Sequence, residues 1–146
     1  MAATSYRILA TGSRDWTDTD AVREALDDIY VLTPHSRLLV VVHGACPTGA
    51  DAIASAWVRE QRRPWFVTEE PHPARGHPTQ DFGPWPGAGP RRNGFMVGIG
   101  ADACLAFIGP CTSPRCRRTD PHPSHGATGC ADLAEAAGTP TQRYYA

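Results

Sequence analysis

The sequence lacks three features that each define a large class of proteins. Its 14 basic and 15 acidic side chains leave a formal net charge of −1 over 146 residues, so general electrostatic binding to nucleic acid is not expected. It contains no apolar run near the roughly 20 residues that a membrane-spanning helix needs. Its first residues lack the basic segment and the long apolar segment of a secretory leader. We therefore expect a cytoplasmic protein.

Several common functional motifs are also missing. Neither GxGxxG nor GxxxxGK[ST] occurs, which excludes the dinucleotide fingerprint and the P-loop. No Ser-His-Asp order, HExxH helix or paired-carboxylate spacing occurs either. Catalytic residues therefore stay unassigned at this level.

Apolar strands alternate with amphipathic helices along the chain. Strands are predicted over residues 6–12, 37–44, 64–70, 102–109 and 140–145, the last of them at a sheet edge. Helices are predicted after a cap at Thr17 or Asp18, over 49–61, within 90–101 and over 128–138. This alternation predicts an α/β fold, a Rossmann-like three-layer sandwich with a mostly parallel central sheet, in a single domain spanning residues 1–146.

Two segments interrupt the alternation. Residues 71–90 carry six prolines and four glycines, and residues 110–125 carry four prolines. Both segments are too rich in proline for a helix or a strand. Loops of this length in a compact domain are usually functional or disordered, and the first, with Phe82 and Trp85, is a candidate lid or a disordered insertion.

Three turns rich in Gly, Ser or Thr follow predicted strands, and ligands of such folds bind beyond the carboxyl ends of the strands. Glycine lets backbone N–H groups approach a ligand, and helix N-termini favour negative charge. Arg92 opposes the dipole at a helix start, which also favours an anionic ligand. The predicted ligand-binding residues are Gly12, Ser13, Arg14, Trp16, His43, Gly44, Gly49, Asp51, Arg92, Asn93, Ser124, Gly126 and Thr128.

Each of these positions also has a structural explanation. Short strand-to-helix turns carry Gly and Ser for geometric reasons. Arg14 could form an ion pair with a neighbouring aspartate instead of binding a ligand. Trp16 could pack beneath the first helix instead of stacking on a base. His43 has a hydrogen-bonding role in the fold, and Asp51 has a role as helix N-cap.

A cluster of cysteine and histidine lies in the second Pro-rich segment. Cys111, Cys116, His122 and His125 follow the spacing C-x4-C-x5-H-x2-H, in a chain with five cysteines. The segment has no apolar face to bury, and one structural Zn²⁺ held by two thiolates and two imidazoles would fix it. Cys130 is close enough in sequence to replace His125. The alternatives are a solvated loop with free thiols and a Cys111–Cys116 disulfide.

Four segments together resemble the SLOG superfamily: TGSRDWTD, VVHGACPTGADAIASAW, PRRNGFMV and DACLAFIG. The branch that they match is that of the YspA-like, cpYpsA-related proteins, which are common in actinobacteria and their phages. The resemblance covers most of residues 6–144. It implies a Rossmann-like fold and a nucleotide or nucleotide-derived ligand. Relatives are often dimers, so a homodimer is the expected assembly.

The resemblance extends to the Lonely Guy phosphoribohydrolases, which hydrolyse the N-glycosidic bond of nucleoside monophosphates. It implies that Arg92 matches the arginine of their Arg-bearing helix, and that PSHGAT, residues 123–128, stands where their PGGxGT lies. Thr128 is kept, whereas the catalytic glutamate position falls on Ala131. Asp132 comes one residue later, and its side chain would point about 100° around the helix.

Two functions are compatible with these patterns. The first is a sensor or sponge that binds a nucleotide without turning it over, which the missing glutamate favours. The second is a phosphoribohydrolase-like or other enzyme acting on a nucleoside phosphate or ADP-ribose-type ligand, which Arg92 and Thr128 favour. A partner-binding domain that keeps an eroded pocket is a third alternative.

Overall fold

Strands and helices alternate through the chain, as the sequence predicts. The computed structural model describes residues 4–146, and within them the elements are β1 (Ser5–Gly12), α1 (Thr19–Leu32), β2 (Leu38–His43), α2 (Gly49–Gln61), β3 (Val67–Pro71), α3 (Ala88–Gly98), β4 (Ala103–Ile108), α4 (His125–Ala136) and β5 (Thr141–Tyr145). None of these helices has the length and apolarity that a membrane span requires.

The strands form one parallel sheet in the order β3-β2-β1-β4-β5. The α/β, Rossmann-like prediction is confirmed, and β5 lies at an edge as expected. Within residues 4–146 the sheet is fully parallel rather than mostly so. The strand order reverses between β1 and β4, and in open parallel sheets such a reversal opens a crevice at the carboxyl ends of the strands.

Helices cover both faces of the sheet because side chains along each strand alternate in direction. Ile8 and Ala10 of β1 pack in one buried cluster with Trp57 of α2, which α1 also joins. Leu9 of β1 packs in a second cluster with Met96 of α3 and residues of α4. The core is therefore two apolar layers separated by the sheet.

Several element boundaries differ from the prediction. Asp18 rather than Thr17 caps α1, since its carboxylate accepts a hydrogen bond from the N–H of Ala21 at 3.0 Å. Helix α3 begins at Ala88, ahead of residue 90, and β3 begins only at Val67. Helix α4 begins at His125 rather than at residue 128, which places a predicted metal ligand in its first turn.

Candidate functional site

A cleft of about 640 Å³ opens at the carboxyl ends of the strands. Its floor is the turn after β1 with the start of α2, and its walls are residues 85–86 with α3, the loop 111–115 and the first turn of α4. Ligand sites for small molecules commonly occupy about 300–1,000 Å³. Most of the predicted ligand-binding residues line this cleft: Gly12, Ser13, Arg14, Gly44, Asp51, Arg92, Asn93, Ser124 and Gly126.

Ser13 connects two strand ends at the bottom of the cleft. Its side chain is buried, and its Oγ accepts a hydrogen bond from the N–H of Gly109 at 2.9 Å. Because the hydroxyl is the acceptor in that bond, its own proton stays available for donation to a ligand.

Arg14 extends from the same turn toward the opposite wall. Its carbonyl accepts a hydrogen bond from Thr48 Oγ1 at 2.8 Å, which fixes the backbone. Its guanidinium lies over the ring of Trp85, 5.4 Å from the ring centroid. Arg14 has no ion pair within residues 4–146. The neighbouring Asp15 instead accepts a hydrogen bond from Thr112 Oγ1 at 2.7 Å.

Asp51 places a carboxylate deep in the cleft. The residue is 6% exposed, and its Oδ2 accepts a hydrogen bond from the N–H of Cys46 at 3.2 Å. It therefore braces the turn between β2 and α2, while Thr48 holds the N-cap position. Burial raises the pKa of the Asp51 carboxyl, and this effect is opposed by nearby positive charge, including Arg92. Burial therefore favours the protonated form of this carboxyl relative to that of an exposed aspartate.

Arg92 joins α3 to the turn after β2. Its Nη1 donates to the carbonyl of Gly44 at 2.6 Å and to that of His72 at 3.2 Å, and its Nε donates to Asn93 Oδ1 at 2.9 Å. A Cβ at residue 44 would lie 2.5 Å from Nη1, so this contact requires glycine there. Nη2 has no hydrogen-bond acceptor within residues 4–146, which leaves it as the group available to a ligand.

Trp16 and His43 do not line the cleft. Trp16 is 5% exposed, packs 5.6 Å from the Phe107 ring and donates from Nε1 to the carbonyl of Asp18. His43 Nδ1 accepts from the N–H of Ala45 at 3.0 Å, so its Nε2 carries the proton and donates to Glu69 at 3.0 Å. Both side chains are thus engaged in contacts within the fold.

Gly49 and Thr128 also lie outside the lining. Gly49 has φ of 72°, and a Cβ there would lie 2.2 Å from the carbonyl oxygen of Ser13, so its role is the close packing of two turns. Thr128 lies in α4, where its N–H donates to the carbonyl of Ser124 at 3.1 Å. Its Oγ1 is buried and has no hydrogen-bond partner among the described residues.

The four predicted metal ligands come together beside the cleft. Their ligating atoms all lie within 4.8 Å of one another. Cys116 Sγ is 3.3 Å from Nε2 of both His122 and His125, and the two Nε2 atoms are 3.1 Å apart. His122 Nδ1 donates to the carbonyl of Asp120 at 2.7 Å, so the neutral ring presents the lone pair of Nε2 to the other side chains of the cluster. The cluster is a donor set that suits a metal ion.

Cys130 does not take the place of His125. It is 1% exposed and packs between α4 and the sheet in the same buried cluster as Leu9 and Met96. Burial raises the pKa of its thiol, which keeps it protonated at neutral pH. The early start of α4 explains the difference, because it turns residue 130 toward the core and residue 125 toward the loop.

Part of the lining comes from residues that the strand-end patterns did not indicate. They include Trp85, which the sequence places only in a candidate lid, together with Thr112 and Arg115. All three belong to the two Pro-rich segments. The composition of those segments marks them as unusual, but no periodicity indicates which side chains face inward.

Comparison with known proteins identifies the family. The YspA, cpYpsA-related SLOG family matches residues 6–72. The Gene 61 protein of Mycobacterium phage D29 is 45% identical over 104 residues, which cover 69% of this chain and 75% of the phage protein. The chain belongs to the YspA, cpYpsA-related SLOG family. No solved structure matches it. SLOG membership points to nucleotide-related ligand binding or processing.

This SLOG protein has no carboxylate at Ala131, the position that the resemblance assigns to the Lonely Guy glutamate. Ala131 is fully buried in a small cluster with Ala106 and Ile108 of β4. Asp132 points elsewhere, and its Oδ1 accepts a hydrogen bond from Arg143 at 2.6 Å. Asp51, from a different helix, is the carboxyl group that lies deep in the cleft.

Proposed function

We propose that this SLOG protein binds a phosphate-bearing nucleotide or nucleotide-derived ligand in the cleft and acts as a sensor or sponge. The observation that carries the proposal is the convergence of donors on one cavity at the point where the strand order reverses. Arg14, Arg92 and Arg115 line it, together with the hydroxyl of Ser13. The lining also contains the carboxyl groups of Asp15 and Asp51, so three guanidinium groups stand against two carboxyl groups, and this positive excess suits an anion.

The first turn of α4 supports a phosphate in the same cleft. Ser124 holds the N-cap position but makes no side-chain capping hydrogen bond, so the first backbone N–H groups of the helix are uncapped. Ser124, Gly126 and Ala127 line the cleft. Helix N-termini of this kind favour phosphate because their free N–H groups and the helix dipole act together.

Binding without turnover is supported by the arrangement around α4. Ala131 is packed against β4, and Asp132 is engaged by Arg143 on the surface. Neither supplies the carboxylate that a Lonely Guy-type hydrolysis uses. We propose accordingly that the ligand leaves the cleft unchanged.

The test is a binding and turnover assay with AMP, GMP, CMP, UMP, ADP-ribose and NAD. Calorimetry measures binding, and chromatography of the incubated ligand measures turnover. The proposal expects binding with recovery of intact ligand. Failure of every ligand to bind contradicts it.

Arg92→Ala is expected to weaken that binding by about 1.5–3 kcal/mol, the scale of a charge-assisted hydrogen bond. The matched control is Arg23→Ala, since Arg23 forms an ion pair with Glu60 on α2, away from the lining. If Arg92→Ala binds the ligand as tightly as the wild type and Arg23→Ala do, Arg92 is not part of the ligand site.

An enzyme acting on a nucleoside phosphate or ADP-ribose-type ligand is the second candidate, and Asp51 favours it. A buried carboxyl with a raised pKa in a ligand cleft is a candidate general acid or base. Product formation by the wild type that is lost in Asp51→Asn, with ligand binding kept, would establish this function in place of the first.

We also propose that the cysteine–histidine cluster holds one structural Zn²⁺. Tetrahedral zinc with Zn–S near 2.3 Å and Zn–N near 2.0–2.1 Å separates its ligands by about 3.3–3.8 Å. The distances of 3.1–3.3 Å among Cys116, His122 and His125 are close to that range. Four protein ligands leave no open position, which is typical of a structural site.

Elemental analysis of protein purified without chelator tests this site, with one zinc per chain as the expected result. Thiol titration gives an independent readout. In the folded protein with zinc, Cys46 is the fast-reacting thiol, and chelation adds Cys111 and Cys116, while the buried Cys104 and Cys130 stay protected. A zinc ratio near zero, with the same fast thiols before and after chelation, contradicts the proposal.

A further inference from the structure

Trp85 is a large apolar side chain that the fold itself does not use. It is 40% exposed and belongs to none of the buried clusters formed by residues 4–146. Its ring lines the cleft instead. Its place in the cleft, and not its exposure alone, distinguishes Trp85 from Trp65, which is 66% exposed and lies outside the lining.

The protein holds this ring in a defined position. Arg91 of α3 donates from Nη2 to the carbonyl of Pro84 at 2.7 Å and from Nε to the carbonyl of Phe82. The chain just before Trp85 is thereby fixed to α3. The ring lies against Gly89, with its Cζ3 3.5 Å from the place that a Cβ of that residue would take.

A planar cation already lies over the ring. The Arg14 guanidinium is 5.4 Å from the ring centroid, while the Arg14 backbone is held by Thr48. A guanidinium plane and a nucleobase plane use the same surface of an aromatic side chain. A base stacks on an aromatic ring more strongly than an exposed cation does, so exchange of the two is favourable.

We propose that Trp85 is a platform for the base of the ligand. The base stacks on the Trp85 ring in the space that the Arg14 guanidinium fills, and the released guanidinium turns toward the ligand phosphate. This inference rests on the proposed nucleotide-binding function and narrows the ligand to a nucleotide with a heteroaromatic base. A sugar phosphate without a base gains nothing from Trp85.

Two probes separate the base from the phosphate. The first is the tightest-binding of AMP, GMP, CMP and UMP, and the second is ribose 5-phosphate, which keeps the sugar and the phosphate. Calorimetry compares both probes with the wild type, Trp85→Leu and Trp85→Phe. The matched control is Trp65→Leu, because Trp65 is 66% exposed and lies outside the cleft.

The expected result is a loss of about tenfold or more in nucleotide affinity in Trp85→Leu, with ribose 5-phosphate affinity unchanged. Trp85→Phe recovers part of the loss, and Trp65→Leu shows none. Tryptophan fluorescence quenching by the nucleotide disappears in Trp85→Leu and persists in the control. Thermal melting verifies that each variant is folded.

Three outcomes overturn the inference. Equal nucleotide affinity in the wild type and Trp85→Leu removes the platform while leaving the proposed function in place. Equal losses for the nucleotide and ribose 5-phosphate show that the ring only shapes the cleft. A wild type that binds neither probe rejects the platform and the proposed function together.

Discussion

Removal of the proposed Zn²⁺ is expected to open the loop 110–126. None of these residues is buried, so no apolar packing holds the loop closed. Apart from the cysteine–histidine cluster, its fixed points include the bridge between Pro110 and Pro123. The two hydrogen bonds of this bridge run from the N–H of Cys111 to the carbonyl of His122 and from the N–H of Ser124 to the carbonyl of Gly109, both at 2.8 Å. Thr112 Oγ1 also donates to Asp15 at 2.7 Å.

The size of the effect follows from these contacts. Each hydrogen bond contributes about 1 kcal/mol net, so the metal-free loop is held by only a few kcal/mol. Free Zn²⁺ at 100 times its dissociation constant adds about 2.7 kcal/mol to the closed state. Its removal therefore raises the open population about 100-fold. We expect the sheet core to stay folded because no strand lies within the loop.

Limited proteolysis with trypsin measures the open population. Arg115, Arg117 and Arg118 are exposed cleavage sites within the loop. When opening and closing are fast relative to cleavage, the cleavage rate follows the fraction of open loop. Chelation is expected to speed cleavage at these sites about 100-fold. Cys116→Ser reproduces the effect without a chelator, and Cys46→Ser, outside the cluster, does not.

Equal cleavage rates in the zinc-loaded, chelated and Cys116→Ser proteins would refute this reasoning. Nucleotide affinity provides a second readout, since Cys111, Arg115 and His125 line the cleft. Chelation is expected to lower affinity together with loop protection. A loop that opens while affinity is unchanged shows that this wall does not contact the ligand.

Two further predictions concern stability. Gly49→Ala is expected to lower the free energy of unfolding by about 3 kcal/mol, because φ is 72° and the new Cβ would clash with the Ser13 carbonyl. Gly76→Ala is the control, since φ is 83° but the surrounding space is open, and it is expected to cost about 1 kcal/mol. Urea unfolding measures both variants, and equal costs would contradict the clash. Hydrogen bonds from Arg7 lower the pKa of Glu70 to about 2, so the ionised carboxylate stabilises the folded state. Glu70→Gln is expected to lower the free energy of unfolding by about 1 kcal/mol above pH ~4.5, and this difference should disappear as the pH falls toward about 2. Urea unfolding of both proteins across this pH range measures the difference, and a difference that does not shrink would contradict the prediction.

The fold could be predicted because the strands and helices have strong local patterns. The buried run before His43 and the apolar spacing of α2 each indicate a single type of element. The apolar pattern does not predict the ends of an element where hydrogen bonds in a turn determine them. Residues 64–66 precede β3 because the carbonyl of Arg63 accepts from the N–H groups of Phe66 and Val67, which forms a turn.

The site could be predicted only where position along a strand determines position in space. Gly12, Ser13 and Gly44 follow strand ends, and the parallel sheet brings them to one edge. The direction in which a side chain points does not follow from its place at a strand end. His43 alternates away from the cleft toward Glu69, and Trp16 turns into the core beside Phe107. Tertiary packing decides these directions, and a single sequence does not show it.

Two separate regions of the sequence form the cleft. The part that the SLOG family matches, residues 6–72, supplies the floor with Ser13 and Asp51. The walls with Trp85 and Arg115 lie beyond that region, in the two Pro-rich segments. Arg91 fixes the first segment through its hydrogen bond to the carbonyl of Pro84, and the cysteine–histidine cluster lies in the second. Because Ser13 is proposed to donate to the phosphate and Trp85 to stack on the base, we expect Ser13→Ala to weaken nucleotide and ribose 5-phosphate binding alike and Trp85→Leu to weaken only nucleotide binding, as calorimetry would show.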